Sequence, residues 1–168
     1  KREFTKQNRM SYANLLGNSF QMTNFIRDIR EDYNMNPRRI YLPLEEINVY
    51  KLNFEKYNDE GVVDINFKEF ITEQISRNKV LYTFSDIGIN MLSPNDRAAI
   101  KLSRILYSRI LDKIEEKDYE LFAPEKIKVG FMEKMKIILN NIGLFNFIKI
   151  VINYISYSYF FIIFFFFE

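Results

Sequence analysis

The chain has 168 residues with no cysteine and no histidine, which excludes disulfide frameworks, thiol nucleophiles, His-based catalytic triads and imidazole metal sites. Its 24 Lys and Arg against 22 Asp and Glu leave a net charge of only +2, so bulk electrostatics give no reason to expect a nucleic-acid partner. The chemistry that remains belongs to carboxylates, amides, tyrosines and arginines, and oxygen donors of that kind suit hard cations such as magnesium.

In chain order, apolar residues at helical spacing with no internal proline predict a long helix over 11–33. Asn36-Pro37 ends it, because a residue before proline is pushed out of the helical region. Residues 38–43 read as an extended connector, with Pro43 starting a short helix over 44–47. Asn58-Asp59-Glu60-Gly61 reads as a turn, and a second long helix is predicted over 67–91. Ser93-Pro94-Asn95-Asp96 is a helix start, with Ser93 as N-cap, Pro94 in the first turn and Asp96 on the positive end of the dipole; that third helix runs to about Lys117. Pro124 breaks the pattern, and a further helix begins near Val129. Strand alternation is scarce, no repeat is visible, and the predicted class is all-α.

The informative segment is Gln21-Met22-Thr23-Asn24-Phe25-Ile26-Arg27-Asp28-Ile29-Arg30-Glu31-Asp32. At roughly 100° per residue, Gln21, Asn24, Asp28, Glu31 and Asp32 fall on one side of the helix, with Gly17 leaving room beside them. Asn24, Asp28 and Asp32 are four apart, so three oxygen donors stack along one ridge. Unpaired carboxylates in that arrangement repel each other, and a divalent cation relieves the repulsion. An acidic helix face is in most proteins simply solvated. Here Met22, Phe25, Ile26 and Ile29 add apolar cover, and Arg27, Arg30, Arg38 and Arg39 form a group suited to a diphosphate through paired hydrogen bonds. A possible EF-hand at 58–70 fails, because its first and twelfth loop positions would be Lys56 and Phe67 where Asp and Glu are required.

These residues, followed by Arg39-Ile40-Tyr41-Leu42-Pro43, resemble the second aspartate-rich motif of the squalene/phytoene synthase family, with wording nearest to its phytoene synthases. A second matching block is Tyr107-Ser-Arg-Ile110-Leu111-Asp112-Lys-Ile114-Glu115-Glu-Lys-Asp118-Tyr119-Glu-Leu-Phe122, and Met91-Leu92-Ser93-Pro94 resembles the turn before that helix. The resemblance covers roughly residues 13–135. It implies an all-α isoprenoid-synthase bundle that joins two prenyl diphosphates head to head through a cyclopropyl diphosphate. The substrate would be geranylgeranyl diphosphate for phytoene, or farnesyl diphosphate for squalene or dehydrosqualene. It further implies Asn24, Asp28 and Asp32 as ligands of Mg²⁺ (or Mn²⁺ in its place), Gln21 and Arg27 as contacts to substrate or its diphosphate, Tyr41 at the pocket, and Tyr107 near the ionising group. On residue chemistry alone, Tyr107 reads as a core tyrosine beside Ile110, Leu111 and Ile114.

The family's first aspartate-rich motif has no counterpart here: residues 1–20 hold no Asp and a single Glu, Glu3. The expectation is therefore the C-terminal half of a synthase lacking its N-terminal half, a piece of a longer protein that is inactive alone. The basic residue that the family often shows after the Asp-Tyr block is represented only by Lys126, a lysine that lacks arginine's bidentate fork and is not counted among the site residues. A non-catalytic family member acting as a scaffold is the rival from another class, though such a protein has no reason to keep Asn24, Asp28 and Asp32. Residues 1–141 are read as the partial synthase domain and 142–168 as a Phe-rich tail. Its Ile150 to Phe167 stretch of eighteen uncharged residues is just long enough for a membrane span. The corresponding location is cytoplasmic, at or anchored in a membrane surface.

Overall fold

The computed structural model describes residues 5–141 and 143. All regular structure among them is helical: α1 (Lys6–Arg27), α2 (Ile29–Tyr33), α3 (Leu44–Val49), α4 (Phe54–Glu60), α5 (Ile65–Ile89) and α6 (Pro94–Glu116), then α7 over 131–141. This is the all-α class expected from the sequence. The chain divides into two compact units, Lys1–Val129 and Gly130–Glu168; α7 lies in the second. The Phe-rich stretch, and with it the expected membrane contact, lies outside the described residues. Among the described residues no helix is long and apolar enough to cross a membrane.

Local chemistry explains most helix ends. Ser93 caps α6, accepting from the Asp96 backbone N–H, with Pro94 in the first turn as expected. α1 begins at Lys6, five residues before the predicted start. Thr5 and Asn8 form a reciprocal cap there, and the exposed polar turn that follows carries no apolar period to announce it. α5 starts at Ile65 because the Asp64 carboxylate accepts the Phe67 N–H at 3.0 Å. The sequence reading of 58–61 as a plain turn is corrected: Asn58, Asp59 and Glu60 are the last turn of α4, and Gly61 (φ 70°) stops it in the left-handed region. α4 exists because it buries Phe54 and Tyr57, a tertiary contact that local propensity cannot reveal. The end of α6 has the double-bonded reversal of a Schellman motif. Asp118 N–H donates to Glu115 C=O and Tyr119 N–H to Ile114 C=O, with Asp118 and Tyr119 both at positive φ. That reversal sends Leu121 and Phe122 back into the core.

α1, α5 and α6 pack pairwise. α1 presents Ser19, Thr23 and Ile26 to this interface. Asn78 of α5 donates to Ser19 C=O (3.1 Å) and Thr23 Oγ1 (3.0 Å), and the Thr23 and Tyr82 hydroxyls share a 2.8 Å hydrogen bond. These paired donors and hydroxyls fix how α1 is rotated on α5, although Asn78 Oδ1 is itself buried without a hydrogen-bond partner. Close approach depends on Gly88: a Cβ there would stand 2.3 Å from Tyr12 Cβ. Gly88→Ala is expected to destabilise the chain by about 1–3 kcal/mol through overpacking, despite a helix-propensity gain of about 1 kcal/mol. A lowered urea midpoint with unchanged m-value is the measurement.

A second, aromatic core holds α2, α4 and the start of α5 together. Phe122 sits among Tyr33, Phe54, Tyr57 and Phe67 with ring centroids 5.6–6.4 Å away. The Tyr57 hydroxyl donates to Asp64 at 2.7 Å. Burial, and then that bond to a carboxylate, push the Tyr57 phenol up to about 12. A folded-state value above the ordinary value near 10 means its stabilisation is complete below about pH 10 and is lost as pH climbs through 12. Thermal stability is therefore expected to fall between pH 10 and 12, and to fall less steeply in Tyr57→Phe. Part of the decline remains in that variant because Tyr50 and Tyr82 are also raised, by hydrogen bonding to Glu73 and by burial respectively.

Candidate metal and diphosphate site

Asn24 and Asp28 continue one hydrogen-bond ladder into Asp32. Asp28 N–H donates to Asn24 C=O and Asp32 N–H to Asp28 C=O, both at 2.8 Å. The predicted single helix over 11–33 is nonetheless divided. Asp28, at φ −95° and ψ 11°, ends α1 and precedes α2. The i, i+4, i+8 ladder of backbone bonds survives the break. Burial, and then the neighbouring charge of Asp28, raise Asp32 above the usual carboxylate value, while Arg39 opposes the shift. Like-charge strain of this kind is what a cation would relieve.

Asp28 behaves differently. Burial pushes its carboxyl up, but hydrogen bonds and charge from Arg27 and Lys126 outweigh that and hold it below the usual range. Arg27 donates from Nε to Oδ1 (2.7 Å) and from Nη2 to Oδ2 (2.8 Å). Lys126 Nζ lies 2.9 Å from Asp28 Oδ1 and 2.7 Å from Glu31 Oε2. Lys126 is thus the residue left out of the sequence-derived site that belongs beside it. It arrives there because the reversal after α6 and the burial of Phe122 carry residues 118–128 back along α2, where Arg30 donates to Ala123 C=O at 2.8 Å. Its position 95 residues after Glu31 leaves no local spacing by which a sequence could reveal the contact.

At the head of the row, the Asn24 amide oxygen is buried and has no hydrogen-bond partner. A buried acceptor without a donor costs roughly 1–3 kcal/mol. One amide oxygen and two carboxylates at four-residue intervals fit a hard divalent ion that keeps waters and takes its remaining oxygens from a phosphate. No three Asp and Glu side chains converge to cage an ion among the described residues.

The row faces away from the interface of α1 with α5. Ser19, Thr23 and Ile26 are buried there, and at 100° per residue they lie opposite Gln21, Asp28 and Asp32. Gln21 is exposed, and at Gly17 a Cβ would meet nothing within 4 Å. Two aromatic pairs border the row. On one flank Phe20, one turn before Asn24, packs on Tyr107 of α6 with centroids 4.5 Å apart; on the other Phe25 stacks on Tyr41 at 4.5 Å and 17°. Tyr107 is half-buried and Tyr41 is 46% exposed. Phe20 was missed in the sequence because only the α1–α6 packing pairs it with Tyr107.

The four arginines expected to act as a group do not converge. Arg27 holds Asp28, and Arg30 holds the Ala123 carbonyl. Arg38 donates to the Tyr33 hydroxyl (3.1 Å) and lies 4.7 Å over its ring, and Arg39 donates to the Tyr41 hydroxyl at 3.4 Å. Beside the row, Arg27, Arg30, Glu31, Asn34, Ala123 and Lys126 line much of a cleft of about 210 Å³.

The residues thus form an all-α bundle whose first long helix carries a row of oxygen donors, bordered by aromatics and by Arg and Lys. The chain belongs to the squalene/phytoene synthase family, whose model matches residues 2–133. It is 36% identical over 107 residues to phytoene synthase of Arthrospira platensis, which is 64% of this chain and 34% of that protein. To chloroplastic phytoene synthase of Daucus carota it is 34% identical over 131 residues, 78% of this chain and 32% of the relative. To 15-cis-phytoene synthase of Synechococcus elongatus it is 36% identical over 107 residues, again 64% and 34%. The chain spans about a third of the length of the curated relatives it matches.

Proposed function

We propose that these residues carry the second metal–diphosphate half-site of a head-to-head prenyltransferase that condenses two geranylgeranyl diphosphates to phytoene through a cyclopropyl diphosphate. The observation that carries this reading is the buried, partnerless amide oxygen of Asn24 in register with Asp28 and Asp32. Asn24, Asp28 and Asp32 would hold Mg²⁺, or Mn²⁺ in its place, and the ion would offset the negative charge that builds on a departing diphosphate. Arg27 and Gln21 contact the diphosphate end of the substrate. Tyr107, with Phe20 behind it, and Tyr41, with Phe25, offer aromatic faces to the allylic cation and displace the water that would quench it.

The reading implies a two-part clamp, whose other acidic motif would come from an N-terminal half preceding these residues. The eighteen uncharged residues from Ile150 to Phe167 support contact of the C-terminal tail with a membrane surface. Squalene or dehydrosqualene synthesis from farnesyl diphosphate is the second reading within the same chemistry.

Calorimetric titration of Mn²⁺ with inorganic pyrophosphate tests the half-site. Residues 1–168 are expected to bind the pair together more tightly than either alone, and Asn24→Ala to lose that coupling. The same chain is expected to show no turnover of geranylgeranyl or farnesyl diphosphate with Mg²⁺. Joined to the N-terminal two-thirds of the Synechococcus relative, it is expected to yield a C40 product from the C20 substrate. Equal pyrophosphate binding with and without the metal would refute the half-site.

A further inference from the structure

The Lys126 ammonium stands where a divalent ion at Asp28 would bring its own charge. Its Nζ lies 2.9 Å from Asp28 Oδ1 and 2.7 Å from Glu31 Oε2, while Arg27 already donates one hydrogen bond to each Asp28 oxygen. Magnesium bonds oxygen at about 2.0–2.1 Å. An ion on Oδ1 would therefore sit within a few ångströms of the ammonium, and the two cations would repel strongly in this half-buried setting. Arg27 is the less movable partner: it is anchored by two bonds and its side chain is 12% exposed, against 40% for Lys126. Lys126 also rides on residues 118–128, which turn back at two positive-φ residues and meet α2 through Arg30 and the Ala123 carbonyl.

We propose that Lys126 is a tethered counter-cation which Asp28 exchanges for the divalent ion, so that metal binding at the row and docking of residues 124–128 on α2 oppose each other. This rests on the reading of Asn24, Asp28 and Asp32 as metal ligands. Its chemistry is simple ion exchange: the ammonium leaves Asp28 protonated as it arrived, keeps Glu31 as a partner, and becomes free to meet an anion brought in with the metal. Without metal, the tether keeps Asp28 paired. With metal, it gives up the stretch around Pro124 and Lys126.

The test uses the full chain, Mn²⁺ as probe, and two readouts independent of turnover. Free Mn²⁺ measured by electron paramagnetic resonance is expected to show Lys126→Met binding about tenfold more tightly than wild type, with Lys126→Arg close to wild type. Limited trypsin digestion of wild type is expected to cut after Lys126 or Lys128 several-fold faster with Mg²⁺ than with NaCl of equal ionic strength. Asp28→Asn is expected to remove that metal dependence. Wild type that binds Mn²⁺ while Lys126→Met binds no more tightly would overturn the exchange and leave the half-site standing, as would metal-independent cleavage in a chain that binds Mn²⁺. Absence of Mn²⁺ binding in both wild type and Lys126→Met would overturn the half-site and the exchange with it.

Discussion

Asp28→Asn is expected to lower the activity of the completed synthase at least about a hundredfold, equivalent to roughly 2.7 kcal/mol of transition-state stabilisation. The carboxylate sits in the middle of the donor row and is held ionised by Arg27 and Lys126, and on the proposed reading it would bind the cation. Asparagine keeps the shape but removes the charge, so loss of metal and diphosphate binding is the expected cause. Folding is expected to change less. The Lys126 pair is partly exposed, and such pairs contribute about 0–1 kcal/mol. A melting temperature close to wild type, with metal-dependent turnover gone, is the expected combination. Loss of both together would assign Asp28 to the scaffold instead.

Phe122→Ala is expected to have the largest effect on stability. The ring is fully buried and surrounded by Tyr33, Phe54, Tyr57 and Phe67. Removing a buried Phe costs about 3–5 kcal/mol, against a total of about 5–15 kcal/mol for a typical domain. The variant is expected to unfold at a much lower urea concentration. Because Phe122 anchors the return of the chain after α6, it is also expected to free Lys126 from Asp28 and Glu31. Faster trypsin cleavage after Lys126 in urea too dilute to unfold the rest of the chain would show that link. A midpoint shift below about 1 kcal/mol would mean that the surrounding rings close over the gap.

The same two residues mark where reading the chain stops and packing begins. Donor spacing, helix class and several helix ends were legible because each is set within a few residues: Ser93 caps its own helix, Pro94 fixes its own φ, and a four-residue interval stacks side chains on any helix. The family motifs were legible for the same reason, being contiguous text around Asn24, Asp28 and Tyr107. The short helix α4 was not, since its seven residues persist only by burying Phe54 and Tyr57 against partners distant in the chain. Nor was the break of the first helix at Asp28, where a neighbouring arginine and Lys126 both reach the carboxylate.

Local order along the chain was enough to establish an all-helical protein with three oxygen donors in a line and a tail rich in phenylalanine. Packing settled which way that line faces, that Phe20–Tyr107 and Phe25–Tyr41 border it, that the arginines scatter to separate partners, and that Lys126 joins Arg27 beside Asp28. The physical reason is range. Capping, propensity and periodicity act across one or two turns, whereas the direction of a helix face and the identity of an ion's neighbour depend on which distant side chains are buried together.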